Sequence, residues 1–470
     1  MIARLLASDW PWRRVVLVAV AAQVVVILCA TRHVFFWGGA LAPALHAAET
    51  LGMVVFAFAG GLAMLQAMRR AGRGDVDERA LLRTGMALAA LATLAPPFLS
   101  ADLWDYLARG RVDVLGFNPY TTTVSSLAHD PAMEAFTVRA RWTEWVMPYG
   151  PLAAALQFLC ALPDSPWIGA YAWKACAALA HVATGVVVLH TLRLGLEPGE
   201  GDGAARRGMA LWLWNPWLLL ESCGQGHNDA MVALFLAAAC HGVARARLGA
   251  TAVTYGTAML IKHGSPPLAP LLAIVAWRQG RLLPFAAGTT VVALIVLAAW
   301  LQYWNVDGGL AWITNQGNVA RGSLISITNY WFGGTVRWGV FLLGLLTVAA
   351  LMLLALGRVR DARGFGRIGA LTMVVFVFAC VPNFAVWYHL WWLPLMAVAR
   401  APAIDRVLVH LAFAGPLVYL VFTATHGYGV LHEHWGFALG GAMPALWMLG
   451  RWGELTARTG SSADPAPVSA

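Results

Sequence analysis

Apolar runs long enough to cross about 30 Å of hydrocarbon recur from one end of this sequence to the other. A backbone in lipid must satisfy its own hydrogen bonds, so a crossing segment is either a helix or part of a closed barrel. The apolar–polar alternation of barrel strands is missing, and the runs read as helices. Composition agrees: 60% of the 470 residues are hydrophobic and 12% are charged. That is about half the charged share of a soluble domain.

The expected fold is an all-α, polytopic transmembrane helix bundle of about 12–14 spans. They fall near 15–31, 49–68, 81–97, 168–192, 209–222, 229–244, 249–264, 266–278, 283–302, 336–357, 368–385, 388–400, 407–425 and 435–450. Residues 1–458 form one membrane domain, and 459–470 read as a disordered cytoplasmic tail. Basic residues precede the first apolar run, as in a signal peptide. No small-residue cleavage site follows, so that run is expected to remain as a span.

The net charge of +9 would suggest nucleic acid in a soluble chain. Here the arginines sit in short clusters between apolar runs: Arg69–Arg70–Arg73, Arg206–Arg207, Arg245–Arg247, Arg278–Arg281 and Arg358–Arg360–Arg363–Arg367. The positive-inside rule places these loops in the cytoplasm of a cell inner (plasma) membrane. With the amino terminus inside, 23 of the 32 Lys and Arg fall on that side. The others are Arg32, Arg109, Arg111, Arg139, Arg141, Lys174, Lys262, Arg321 and Arg337. The apolar stretch 149–163 is short and ends in Pro163-Asp164-Ser165-Pro166, so it reads as a half-helix dipping in from the outer face. The two long connections, 98–148 and 303–335, then both lie outside the cell, where long loops commonly carry function.

Cys29, Cys160, Cys176, Cys223, Cys240 and Cys380 show neither metal nor disulfide spacing and read as small core hydrophobes. No Walker loop or dinucleotide fingerprint appears, and no cofactor or metal site is expected. His432-Glu433-His434 has a weak ligand spacing only.

Chemistry-bearing residues gather on the outer side. Asp102 follows Pro96-Pro97 just past a span. A carboxylate there can stay ionised and reach a lipid-borne group, or it can cap a short helix over 103–111. Asp105 lies at i+3, either as a second acid or as a partner of Arg109 at i+4. Arg109 and Arg111 can neutralise a lipid phosphate or snorkel toward headgroups. The run Asn215-Pro216-Trp217, Glu221 and Gly224-Gln225-Gly226-His227-Asn228-Asp229 interrupts two spans with polar groups. Such groups are costly beside lipid and are functional candidates. A simple polar turn is the plainer alternative. Lys262-His263 closes another span, and an anion is a natural partner for that lysine. Trp387-Tyr388-His389-Leu390-Trp391 suits an aromatic belt, but His389 is more than a belt needs.

Ser100-x-Asp102-x-x-x-Tyr106, Arg109-Gly110-Arg111, Gly116-Phe117-Asn118-Pro119-Tyr120, and Trp142 ahead of Pro148-Tyr149-Gly150-Pro151-Leu152 together resemble one known loop. It is the first outer loop of the polyprenyl-phosphate-mannose-dependent α-(1→6)-mannosyltransferases, of the C-type glycosyltransferase superfamily. Trp214-Asn215-Pro216 through Gly226-His227-Asn228-Asp229-Ala230 is similar to that family's second signature, and Trp387–Trp391 to a third. The resemblance implies a C-type bundle with a large first outer loop and an extracytoplasmic active site. It implies transfer of a hexose, mannose, from a polyprenyl-phosphate sugar to a glycan or glycolipid acceptor, with inversion and without an obligatory metal. Asp102 stands in the place of the family's base, with Asp105 beside it. His227, Asn228 and Asp229 stand in the second signature, where some relatives carry a glutamate for Asp229. Asn118, Tyr149, Tyr388 and His389 complete the expected substrate site. From charge and side alone, Arg109, Arg111, Lys262 with His263, and Arg321 are candidates for the donor phosphate. Membrane lipids are the surroundings and nucleic acid is not a partner. A multi-span transporter or flippase of an anionic or lipid-linked substrate is the alternative, although such a protein places its ionisable groups nearer the midplane.

Overall fold

A computed structural model of the protein describes residues 9–36, 47–196, 201–303, 323–332, 334–424 and 443–456. Helices carry these residues, with no β-strand among them. In chain order they are α1 (Trp12–Phe36), α2 (Ala47–Arg73), α3 (Glu78–Leu94), α4 (Asp102–Val114), α5 (Pro131–Thr137), α6 (Pro151–Ala161) and α7 (Pro166–Leu194). Next come α8 (Gly203–Leu213), α9 (Pro216–Leu218), a π turn (Leu219–Gly224), α10 (Asp229–Ala244), α11 (Leu248–Ile261), α12 (Leu268–Arg278) and α13 (Leu282–Tyr303). The rest are α14 (Leu324–Phe332), α15 (Gly334–Arg358), α16 (Ala362–Ala379), two 3₁₀ turns (Val386–Trp391, Leu393–Leu395), α17 (Met396–Ala399), α18 (Pro402–Ala424), α19 (Met443–Leu449) and α20 (Trp452–Thr456).

Seven of the described helices are long and apolar enough to cross a membrane: most of α1, α2, α7, α13, α15, α16 and α18. This is a polytopic helical bundle. Fewer long spans appear than apolar runs because several runs are broken. At 209–222, Asn215 and Pro216 end α8, and a π turn continues the chain. The run at 388–400 is two 3₁₀ turns and one short helix, buried throughout rather than facing lipid. Irregular backbone at such depth is tolerable only where protein surrounds it. The last expected span, 435–450, is described only in part, and 459–470 lies outside the described residues.

The two ends of the bundle differ in charge. At one end, Arg73 pairs with Asp9 at 2.7 Å, and Arg193 reaches Glu78 and Asp202. There too, Arg363 donates to the Gly195 carbonyl and Arg400 to that of Leu192. The arginine clusters thus fold against one another. α7 runs from this end for 29 residues, about 43 Å, to Trp167 and Pro166. At that far end lies 98–148, which is no open loop. It holds α4, a 3₁₀ turn and α5, and α6 packs against α4 beneath. With 11 residues, about 16 Å, α6 is too short to cross. Gly110 of Arg-Gly-Arg marks the crossing of α4 and α6: a Cβ there would stand 2.2 Å from the Gln157 carbonyl oxygen. Residues 324–332 of the second expected outer loop are helical, and 304–322 lie outside the described residues.

If the arginine end is cytoplasmic, the exposed turn before α5 faces the opposite compartment. Ala128→Cys is expected to react with a membrane-impermeant thiol reagent from outside intact cells, above the background of the native cysteines. Labelling only after lysis would reverse the orientation.

Candidate active site

The site begins where α3 stops. Pro96-Pro97 cannot continue the helix, and the freed amides of Phe98 and Leu99 donate to Gln225 Oε1 at 3.2 and 3.0 Å. Lys174 donates to the Ala95 carbonyl, and Trp173 Nε1 to that of Gly226 at 2.7 Å. Gly226 has φ +72°, and a Cβ on it would meet Leu103 at 2.8 Å. These contacts lay the first turn of α4 on the segment before α10, bringing Asp102 against His227.

His227 is fully buried between two carboxylates. Nδ1 faces Asp102 Oδ2 at 3.6 Å and Nε2 faces Glu221 Oε2 at 3.3 Å. These are ion-pair distances; neither nitrogen makes a well-aligned hydrogen bond among the described residues. The ring stacks on Trp387 with centroids 4.0 Å apart. Glu221 accepts from the Tyr419 hydroxyl at 2.9 Å. Burial disfavours the imidazolium, but the two carboxylates outweigh it and raise His227 to about 9. Burial likewise pushes Asp102 up, yet His227, Lys262 and Arg109 prevail and hold it below the ordinary carboxylate value. Asp102 does not cap α4; Ser100 Oγ accepts from its backbone amide at 3.2 Å.

Beside this pair lies a second one. Lys262 Nζ donates to both carboxylate oxygens of Asp229 at 3.0 Å and to Asn228 Oδ1 at 3.4 Å. The ammonium sits among Tyr388, Trp391 and Tyr149, 4.8, 5.5 and 5.7 Å from their ring centroids. Trp391 Nε1 also donates to Asp229, and Tyr106 reaches Asn228 Oδ1 at 3.4 Å. Exposure separates the roles. The Asp102 side chain is 19% exposed and that of Lys262 11%, whereas those of His227, Asp229 and Glu221 are fully buried. The cluster therefore presents a carboxylate and an ammonium at its surface, with their counter-charges behind them.

The structure thus brings together Asp102, Tyr149, His227, Asn228, Asp229, Lys262 and Tyr388. Other expected residues are placed elsewhere. Asp105 Oδ1 accepts the amides of Arg141 and Trp142 at 3.0 and 2.8 Å, anchoring the loop over α4. Burial, with Asp102 nearby, raises it to about 6. Arg109 donates to the Trp142, Trp145 and Asp105 carbonyls, so its donors hold the same loop rather than a phosphate. Arg111, nine residues from Asp102 and about 180° around the helix, donates to Ala132 and Ala161 carbonyls and pairs with Asp164. Asn118 bridges its own turn, through Tyr120 N, to the Tyr303 carbonyl. His389 is buried among Phe378, Phe384, Trp392 and Trp217; its neighbour Tyr388 faces the site instead. His263 is exposed. Arg321 and His432-Glu433-His434 lie outside the described residues. Tyr106, Trp391 and Tyr419 were not singled out from the sequence as site residues. Only Tyr106, at i+4 from Asp102 on one helical face, had a periodicity that could have flagged it. A cavity of about 310 Å³ at the arginine end, between α7, α10 and α16, shares no residue with this cluster.

Comparison with known proteins identifies this helical bundle as a membrane glycosyltransferase. Residues 14–280 match the family model described as alpha-(1->6)-mannopyranosyltransferase, N-terminal domain, and the chain belongs to that family. It is 26% identical over 390 residues to a probable alpha-(1->6)-mannopyranosyltransferase of Mycolicibacterium smegmatis, covering 71% of this chain and 67% of the relative. To alpha-(1->6)-mannopyranosyltransferase A of Mycobacterium tuberculosis it is 24% identical over 422 residues, covering 83% and 78%.

The two acids of α4 should separate by mutation. Asp105→Asn keeps an oxygen for both loop amides and is expected to fold and retain activity. Asp105→Ala orphans them and is expected to cost about 2 kcal/mol. Thermal unfolding in detergent, followed by a transfer assay, checks both.

Proposed function

We propose that the protein transfers mannose from a polyprenyl-phosphate donor to a glycan or glycolipid acceptor at the extracytoplasmic face, inverting the anomeric centre. One observation carries this reading: Asp102 and Lys262 are the ionised groups of the cluster that reach solvent, side by side, each backed by a buried counter-charge. An oxygen nucleophile needs a base, and a departing lipid phosphate needs a cation.

Asp102 takes the proton of the acceptor hydroxyl as that oxygen attacks the anomeric carbon. The bond from that carbon to the phosphate oxygen breaks, and its electron pair leaves with the lipid phosphate. Lys262 stabilises the charge that builds there. Tyr149, Tyr388 and Trp391 offer ring faces on which a sugar can stack. One displacement without a covalent intermediate inverts the centre. The relatives named as mannopyranosyltransferases support mannose as the sugar. The arginine-rich opposite end, read by the positive-inside rule, supports the extracytoplasmic face. The transporter alternative fares less well, because the relatives are named as transferases.

Membranes supplied with radiolabelled polyprenyl-phosphate mannose test the proposal. Asp102→Asn is expected to lower transfer at least a hundredfold with folding unchanged; wild-type activity in that variant overturns the proposal. Lys262→Ala alone strands Asp229, a fault worth about 3–5 kcal/mol of stability. The neutral pair Lys262→Gln with Asp229→Asn is therefore the better probe. It should raise the donor KM and leave the acceptor KM near its wild-type value. Equal changes in both would remove Lys262 from the phosphate.

A further inference from the structure

Glu221 lies behind the site, and its carboxylate is fully buried. A buried charge is costly unless it is paired. Its partners are His227 Nε2 at 3.3 Å and the Tyr419 hydroxyl at 2.9 Å. On the other side of the ring, Nδ1 faces Asp102 Oδ2. Tyr419, Glu221, His227 and Asp102 thus stand in a row from α18 to α4. The ring has little freedom to turn, being stacked on Trp387, while the His227 amide donates to the Glu221 carbonyl at 3.0 Å. A carboxylate oxygen within ion-pair distance of each ring nitrogen favours the doubly protonated, positively charged imidazole. The π turn over Leu219–Gly224 supplies this geometry, setting Glu221 inside the protein in a run that reads as a span.

We propose that Glu221 is a positioning residue for glycosyl transfer: from behind His227 it fixes the orientation and charge of the ring that faces Asp102. This rests on the reading of Asp102 as the base. In the transfer step the acceptor proton goes to Asp102 and then to solvent, and His227 keeps both of its protons throughout. The base is a carboxylate beside a standing cation, which keeps it ionised in a confined site. The charged and titratable groups around the pair are Asp105, Tyr106 and Arg109 on α4, Lys262 after α11, Tyr149 before α6, Tyr388 in the first 3₁₀ turn after α16, and Tyr419 on α18. With the charge of Glu221 removed, His227 is left with one carboxylate and loses its proton at lower pH. Asp102 then faces a neutral ring and accepts a proton more readily.

The test compares wild type, Glu221→Gln and Asp102→Asn in two measurements. In pH–rate profiles, Glu221→Gln is expected to part from wild type between about 6.5 and 9, where the variant ring gives up its proton and the wild-type ring keeps it. A residue that serves only folding would lower the rate by the same factor at every pH. The second measurement needs no activity: Tm against pH in detergent. The folded His227 value, about 9, is above the unfolded value of 6.5. Its stabilisation is complete below 6.5 and is lost as pH rises through 9. Wild type should lose Tm across that window and Glu221→Gln should lose less. A pH–rate profile parallel to that of wild type across that range, or an unchanged loss of Tm, overturns the proposal. If Glu221→Gln is inactive, the Tm comparison decides alone. An active Asp102→Asn would sink the base assignment itself; an inactive one beside a Glu221→Gln that behaves as wild type sinks only the role of Glu221.

Discussion

Everything in the site depends on one buried imidazole held between carboxylates from separate parts of the chain. Asp102 comes from the helix after the third long apolar run, and Glu221 from a turn more than a hundred residues later. His227 joins them, and the Gln225, Trp173 and Lys174 contacts fix the distance. Removing the charge of either acid leaves the ring with one partner. Such charge networks are expensive to bury, and each member depends on the others for its charge. That cost explains why so much hydrogen-bonding capacity is spent on one short stretch of backbone.

Short, irregular segments carry the candidate site, and long helices carry the segments. The π turn, the 3₁₀ turns near Tyr388 and the extended end of α11 at Lys262 would all be forbidden against lipid. Each is enclosed by protein, with Trp104, Trp173, Trp214, Trp217 and Trp392 fully buried around them. Asn215 shows how the enclosure is joined. Its side chain caps α9 through the Trp217 and Leu218 amides and donates to the Leu408 carbonyl of α18.

Helical character and the grouping of Asp102, His227, Asp229 and Lys262 were legible in the sequence. Hydropathy marks the segments that leave water, and polar residues that interrupt them stand out. Three things were not legible. Apolar runs do not reveal whether they meet lipid or protein, so 388–400 read as a span. Charge does not reveal its partner: Arg109 and Arg111 have the right sign and region, but their donors are taken by carbonyls and Asp164. Adjacent residues in a 3₁₀ turn face different ways, so Tyr388 and His389 both read as site residues while only Tyr388 sits over the lysine. Family resemblance placed Asp102 in the cluster because it marks position along the chain. It says little about which neighbours point inward.

Lys262 already has a resident anion in Asp229, and this bears on turnover. On the proposed reading, an arriving lipid phosphate must share the ammonium and cannot claim it whole. The grip is weaker than a bare lysine would give, and so is the hold on the spent carrier after the sugar has gone. A catalyst whose leaving group stays anchored in the same bilayer gains from letting that anion slip away, and the carboxylate that takes the lysine back is already in place.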